Sequence, residues 1–338
     1  MAESADKKVR IAVDAMGGDK APKTVVEGAV RSSQEANTHI LLVGREEDIN
    51  RELKDYKFDP AKLSIVNASQ IVGMDEHPVT ACKEKPDASI MVCARLLKEK
   101  KADGLVSAGN TGAVVVSSLF TLGKLEGIDR PAIAVMLPTL KGFFLLVDGG
   151  ATTDCKPKNL LQFAIMGAIF MKDVYGYNNP RVGLLSVGAE SSKGNELTLK
   201  THKLLEDADL NFVGNIEGSD IVGNKVDVLV CDGFVGNIVL KFAENLFRTA
   251  GILVRREFAR QRIVPSLFQE AYSNFKKKVD YAEYGGAPLL GVNGVCVISH
   301  GKSSPKAIRN AIRVASEEVT HGLNGHIINY LKKEGSIS

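Results

Sequence analysis

The chain has 338 residues, 44% of them hydrophobic and 25% charged, enough to bury a large core in one big domain or two modest ones. Lys and Arg total 43 against 40 Asp and Glu, a formal charge of +3, which excludes the strongly basic footprint of a dedicated nucleic-acid binder. No apolar run reaches the roughly 18 residues of a bilayer span, and the opening MAESADKK has no signal-peptide core, so the expected address is cytoplasmic.

Strand-length apolar runs alternate with helical stretches along the chain. Ile11 to Val13 is the first strand, and Pro22 stands where it can open a helix over Thr24 to Ser33. Strands follow at Ile40 to Val43 and Leu63 to Val66, a helix at Ser89 to Lys100, and strands at Gly104 to Val106, Ile133 to Leu137 and Phe143 to Val147. Next come a helix at Lys158 to Met171, a strand at Val182 to Val187, a helix at Glu196 to Glu206, and strands at Val228 to Cys231 and Val295 to Ile298. This order predicts a mainly parallel sheet covered by helices. With no Pro/Ser-rich linker and no solenoid period, residues 1–338 read as a single α/β domain.

One region breaks the rhythm. Helical patterning extends over about 234–280, interrupted by Pro265, and reads as a projecting helical hairpin. Its tip sets Leu253, Phe258, Ile263, Val264 and Leu267 among Arg255, Arg256 and Arg260. Such an element packs in a dimer interface with a solvated basic face, or rests on an anionic membrane surface, or catches an acidic protein. All three readings stay open at this point.

Several strands end in polar, glycine-rich turns: Asp14-Ala-Met-Gly-Gly-Asp19, Ser107-Ala-Gly-Asn-Thr-Gly112, Asp148-Gly-Gly150, Ser186-Val-Gly-Ala-Glu190, Asp232-Gly-Phe-Val-Gly-Asn237 and Ser299-His-Gly301. In a parallel sheet these turns gather on one edge, where ligands bind. Backbone N–H groups and helix N-termini there favour a small anion, with phosphate the leading candidate. The expected cradle is Asp14, Gly17, Gly18, Ser107, Gly109, Asn110, Thr111 and Gly112. Lys193 precedes a helix that Asn195 is placed to cap, so it adds a cation to the same edge.

The known phosphate motifs match incompletely, since Ser107 and Cys296 stand where a dinucleotide fingerprint and a P-loop want glycine. A nucleophile elbow and an H-E-x-x-H pair are both missing, and the five cysteines form no C-x-x-C pair. No metal is therefore expected, and the cysteines read as reduced and mostly buried.

At these residues the chain resembles the bacterial phosphate acyltransferases of the PlsX family. The blocks that carry the resemblance are Ile11-Ala-Val-Asp-Ala-Met-Gly-Gly-Asp19, Ser107-Ala-Gly-Asn-Thr-Gly-Ala113, Gly127-Ile-Asp-Arg-Pro-Ala132, Lys193-Gly-Asn-Glu-Leu197, Asp232-Gly-Phe-Val-Gly-Asn237 and Tyr284-Gly-Gly-Ala287, spread over nearly the whole length. The chain departs from the family pattern at Lys20, at Ala81-Cys-Lys-Glu-Lys85 and at Asp148-Gly-Gly-Ala-Thr152.

The resemblance implies a three-layer α/β/α fold similar to phosphate acetyltransferases and decarboxylating dehydrogenases, a homodimer and no organic cofactor. It implies acyl-carrier-protein thioester and inorganic phosphate as substrates, phosphate handling by Lys193, and peripheral membrane contact through the hairpin. In the mechanism expected from this reading, Asn195 or Asn237 steadies the oxyanion while Asp14 and Asp232 orient the lysine. Two rivals remain: an acyl-coenzyme A phosphotransferase on the same fold, and a non-enzymatic membrane-surface scaffold.

Overall fold

The computed structural model describes residues 8–35, 38–260, 270, 273 and 285–333. The first half contains β1 (Val9–Asp14), α1 (Lys23–Glu35), β2 (Thr38–Gly44), α2 (Glu46–Leu53), β3 (Leu63–Asn67), α3 (Pro78–Glu84), α4 (Ser89–Lys98), β4 (Gly104–Ser107) and α5 (Thr111–Thr121). It continues through β5 (Ala132–Pro138), β6 (Phe143–Val147), α6 (Pro157–Tyr175), β7 (Val182–Leu185), α7 (Glu196–Glu206), β8 (Phe212–Ile216), β9 (Val228–Val230) and α8 (Gly233–Arg260). The described chain closes with β10 (Ala287–Leu290), β11 (Val295–Ile298), α9 (Pro305–His321) and α10 (Leu323–Lys333).

All the strands among the described residues join one 11-stranded sheet in the order β3-β2-β1-β4-β11-β10-β5-β6-β9-β7-β8. Alternate residues of each strand face opposite layers, so Ile11 and Val13 enter a core shared with α1, α6 and α9, while Ala12 enters the core shared with α4 and α5. Helices thus cover both faces, as the three-layer expectation required.

The sheet is not one parallel array. The strands β3, β2, β1, β4 and β11 run one way, whereas β6, β9, β7 and β8 form a second parallel block. Between them β10 is antiparallel to both β11 and β5, and β5 is antiparallel to β6, so the two blocks point in opposite directions. The expectation that every glycine turn lies on one edge is corrected by this reversal. Its cause is local: Thr139 closes the turn between β5 and β6 by donating its N–H to the Gly142 carbonyl at 2.9 Å, and a connection that short makes a hairpin and not a crossover.

Register nonetheless brings the two sets of turns together. Asp14 pairs with Ser107 and Ser107 with Ile298, so β1, β4 and β11 end level with one another. Ile298 pairs with Ala287 at the start of β10, and Leu290 at its end pairs with Ala132 at the start of β5. The last residue of β6, Val147, pairs with Ala134 on β5 and with Val230 on β9. Continuing the β10–β5 register sets the ends of β11 and β6 about one residue apart, roughly 3 Å along the strands. The carboxyl ends of two oppositely directed blocks therefore meet at the seam formed by β10 and β5.

Candidate functional site

On the first block, the turns after β1 and β4 are knitted into a rigid floor. The buried Asp14 accepts the Ser107 hydroxyl at 2.7 Å and the Met16 N–H at 3.2 Å, and Ser107 Oγ in turn accepts the Gly109 N–H at 3.1 Å. Burial pushes the Asp14 carboxyl above its ordinary value, with the Ser89 and Ser107 hydroxyls pulling it back. Gly17 permits the approach, because a Cβ there would lie 2.6 Å from the Gly109 nitrogen. Gly18 packs the same way against the Ala108 and Gly301 carbonyls.

Asn110 caps α5, its Oδ1 accepting the Ala113 N–H at 3.1 Å. Its Nδ2 donates to the carbonyls of Gly73, Met74 and Glu76, which ties the loop before α3 to the start of α5. The amide of Asn110 is thus occupied by protein groups. What the first block offers a ligand is the exposed Thr111 and half-buried Gly112 at the N-terminus of α5, where unpaired N–H groups and the helix dipole favour an anion.

The second block supplies a matching turn. Asp148 is fully buried, and its carboxylate accepts N–H groups from Ile133 at 2.8 Å, from Gly150 and Ala151 at 2.9 Å each, and from Thr152 at 2.6 Å. Burial raises its carboxyl and those backbone bonds oppose the rise. Asp232 caps α8 through the Val235 N–H at 3.0 Å, and Gly233 N–H bonds the Thr152 carbonyl at 2.9 Å. These bonds hold Asn237, on the first turns of α8, above Gly150.

Between the two turns lies a cavity of about 210 Å³. Ile133, Val135, Leu240 and Ile298 give it an apolar wall; Thr111, Gly149, Gly150 and Asn237 bring the two turns to it, with Ser299 and His300 after β11. Lys241 and Glu244, paired at 2.9 Å, also line it. The sequence reading overlooked Leu240, Lys241 and Glu244, although they follow Asn237 at the spacing that shares one helical face.

Lys193 is exposed, in the turn after β7, and does not line this cavity. Strand β7 is separated from β6 only by β9, so its turn lies on the same block edge roughly 10 Å from that of Asp148 by strand spacing. Among the described residues Lys193 Nζ has no ion pair, so neither Asp14 nor Asp232 is bonded to it. The amide of Asn195 caps α7, Oδ1 accepting the Thr198 N–H at 2.9 Å.

On α8, Leu253, Arg255, Arg256 and Arg260 are exposed and Phe258 is half-buried. Ile263, Val264 and Leu267 lie outside the described residues, as does the returning arm of the expected hairpin. Among the described residues no helix is long and apolar enough to cross a membrane, and no cluster of His, Cys, Asp and Glu could hold a metal ion. All five cysteines are free, and only Cys155 is not fully buried.

The arrangement of helices on both faces of one sheet has counterparts among solved structures. The chain superimposes on a phosphotransacetylase from Streptococcus pyogenes with a TM-score of 0.65 at 18% identity, over 92% of this chain and 94% of that one. A 4-hydroxythreonine-4-phosphate dehydrogenase from Klebsiella pneumoniae gives 0.55 at 13% identity, over 93% and 100%. At those identities the likeness is one of fold, and it is the fold expected from sequence.

Sequence similarity goes further. A family model described as fatty acid synthesis protein matches residues 9–325. The chain is 50% identical over 317 residues to the phosphate acyltransferase of Desulforamulus reducens, covering 93% of this chain and 95% of that one. It is 51% identical over 315 residues to the phosphate acyltransferase of Heliobacterium modesticaldum, covering 92% and 94%. The chain therefore belongs to the fatty acid synthesis protein family, and the resemblance drawn from its sequence blocks is borne out.

Proposed function

We propose that this chain is an acyltransferase that moves a fatty acyl group from an acyl-carrier-protein thioester to inorganic phosphate. The observation that carries the reading is the seam cavity, which joins an apolar wall to the N-terminus of α5. An acyl chain needs the first and a phosphate dianion the second.

In this reading the N–H groups of Thr111 and Gly112 hold phosphate, and Lys193 reaches it from the neighbouring turn. A phosphate oxygen attacks the thioester carbonyl carbon; a C–O bond forms, the C–S bond breaks, and the carrier thiolate leaves with the electron pair. Asn237, standing over Gly150, is positioned better than Asn195 to donate to the developing oxyanion, because Asn237 lines the cavity and Asn195 does not. Asp14, Asp148 and Asp232 brace the turns. Holding phosphate against the carbonyl in the seam cavity supplies the rate enhancement by orientation and fixed dipoles.

The finer parts of the proposal rest on α8. Arg255, Arg256 and Arg260 suit an acidic carrier or an anionic membrane surface. The exposed stripe Phe234, Ile238, Phe242 and Leu246 suits a homodimer contact. One continuous sheet supports a single domain, and the cytoplasmic side of the membrane is the corresponding address. The test is incubation with acyl-carrier thioester: phosphate-dependent release of free carrier thiol supports the reading, and thiol release that ignores phosphate refutes it.

A further inference from the structure

The loop that presents Lys193 is held from beneath by a buried relay that the proposed chemistry does not otherwise use. Asn215 on β8 and His202 on α7 are each only 6% exposed. Asn215 Nδ2 donates to the Glu190 carbonyl at 2.9 Å and to the Lys193 carbonyl at 3.4 Å. The Lys193 carbonyl also accepts the Ser186 hydroxyl at 3.1 Å, and the Lys193 N–H bonds the Glu190 carbonyl at 3.0 Å. The backbone of Lys193 is therefore fixed at both its N–H and its C=O.

The orientation of Asn215 follows from its partners. Two carbonyls can accept only from the amide nitrogen, so Oδ1 must face the other way, where His202 Nδ1 lies 2.9 Å off. An amide oxygen cannot donate, so Nδ1 carries the proton. His202 is itself steadied edge-on against Phe212, with ring centroids 5.1 Å apart, and its Nε2 lies 3.2 Å from Glu206 Oε1. The buried imidazole, through its Nδ1–H, and the Asn215 amide form a rigid strut whose far end is the backbone of the exposed lysine.

We infer that His202 and Asn215 are positioning residues that set Lys193 for phosphate. The inference rests on the assignment of Lys193 to phosphate given above. Loosening the strut should cost phosphate binding and spare the carrier substrate, because the acyl group docks against the apolar wall of the seam cavity, which Lys193 does not line. A purely structural role would lower stability without that selectivity.

Paired substitutions test it. In His202→Asn the new amide nitrogen falls near the lost Nδ1 and keeps the donor to Asn215; in His202→Gln the nitrogen falls near Nε2 and the donor is misplaced. The expected result is a phosphate KM within about twofold of wild type for H202N and raised about tenfold for H202Q, the worth of one buried hydrogen bond, with the acyl-carrier KM unchanged in both. Equal phosphate KM values for the two variants would overturn the inference. Should H202Q not fold, amide hydrogen exchange of residues 188–194 in wild type and in Asn215→Ala decides: faster exchange in the variant supports the strut, and equal exchange refutes it. Lys193→Ala separates the two levels of the argument, since normal phosphate kinetics in that variant would remove Lys193 itself while leaving the measured rigidity of the loop intact.

Discussion

Gly150 lies directly beneath Asn237: a Cβ added to Gly150 would stand 3.3 Å from Asn237 Cβ and 3.6 Å from its Oδ1. The glycine also holds φ at +133°, where side chains are strained. This contact joins the turn after β6 to the first turns of α8 at the seam cavity, so it links backbone strain to the proposed oxyanion site.

Gly150→Ala is expected to lower stability by about 1–3 kcal/mol and to depress turnover further by pushing Asn237 off the cavity. Thermal unfolding and steady-state kinetics check it. Gly325→Ala serves as the control, because a Cβ there meets nothing within 4 Å and the site is inside α10; that change should stabilise by up to about 1 kcal/mol.

Asn110→Ala removes the cap of α5 and the three carbonyl contacts to the 73–76 loop. A loss of about 1–2 kcal/mol is expected from the cap alone, together with a raised phosphate KM because the helix terminus frays. Urea unfolding and phosphate titration of the rate measure the two effects separately.

Leu240→Trp narrows the apolar side of the cavity from the face of α8. If the acyl chain occupies that wall, long-chain thioesters should lose about tenfold or more in kcat/KM relative to short-chain ones, a loss of one to a few kcal/mol of apolar burial. An equal effect on all chain lengths would place the chain elsewhere.

Glu318 on α9 is buried, its Oε1 has no hydrogen-bond partner among the described residues, and burial raises its carboxyl well above the ordinary 4.5. The folded state therefore holds a proton that the unfolded state releases. Stability from this group is complete below about pH 4 and is lost as pH rises through the folded value, by about 1.4 kcal/mol per pH unit within that window. Glu318→Gln should flatten this part of the stability profile and melt higher than wild type at neutral pH. Thermal midpoints of both proteins across pH 4 to 8 check the sign, pH 4 being roughly the carboxylate reference value.

Much of the fold was legible because buried strands declare themselves as short apolar runs, as in Ile40 to Val43 and Phe143 to Val147. Strands β8, Phe-Val-Gly-Asn-Ile, and β10, Ala-Pro-Leu-Leu, were missed because Gly, Asn and Pro argue against a strand and only sheet pairing overrides them. The reversal between the two blocks was hidden in the tight link from β5 to β6. Within the site, residue type alone marked the turns but not their use: Asp14 and Ser107 bond each other, Asn110 and Asn195 cap helices, and Thr111 and Asn237 reach the cavity. Which polar group faces a ligand depends on what its neighbours have already satisfied, and that is a property of the fold.

The most direct measurement is the mass of the product made from acyl-carrier thioester and oxygen-18-labelled phosphate. The account predicts an acyl phosphate that retains every labelled oxygen, because a phosphate oxygen attacks the carbonyl carbon and no P–O bond breaks. Formation of unlabelled fatty acid alone, at a rate indifferent to phosphate, would contradict it.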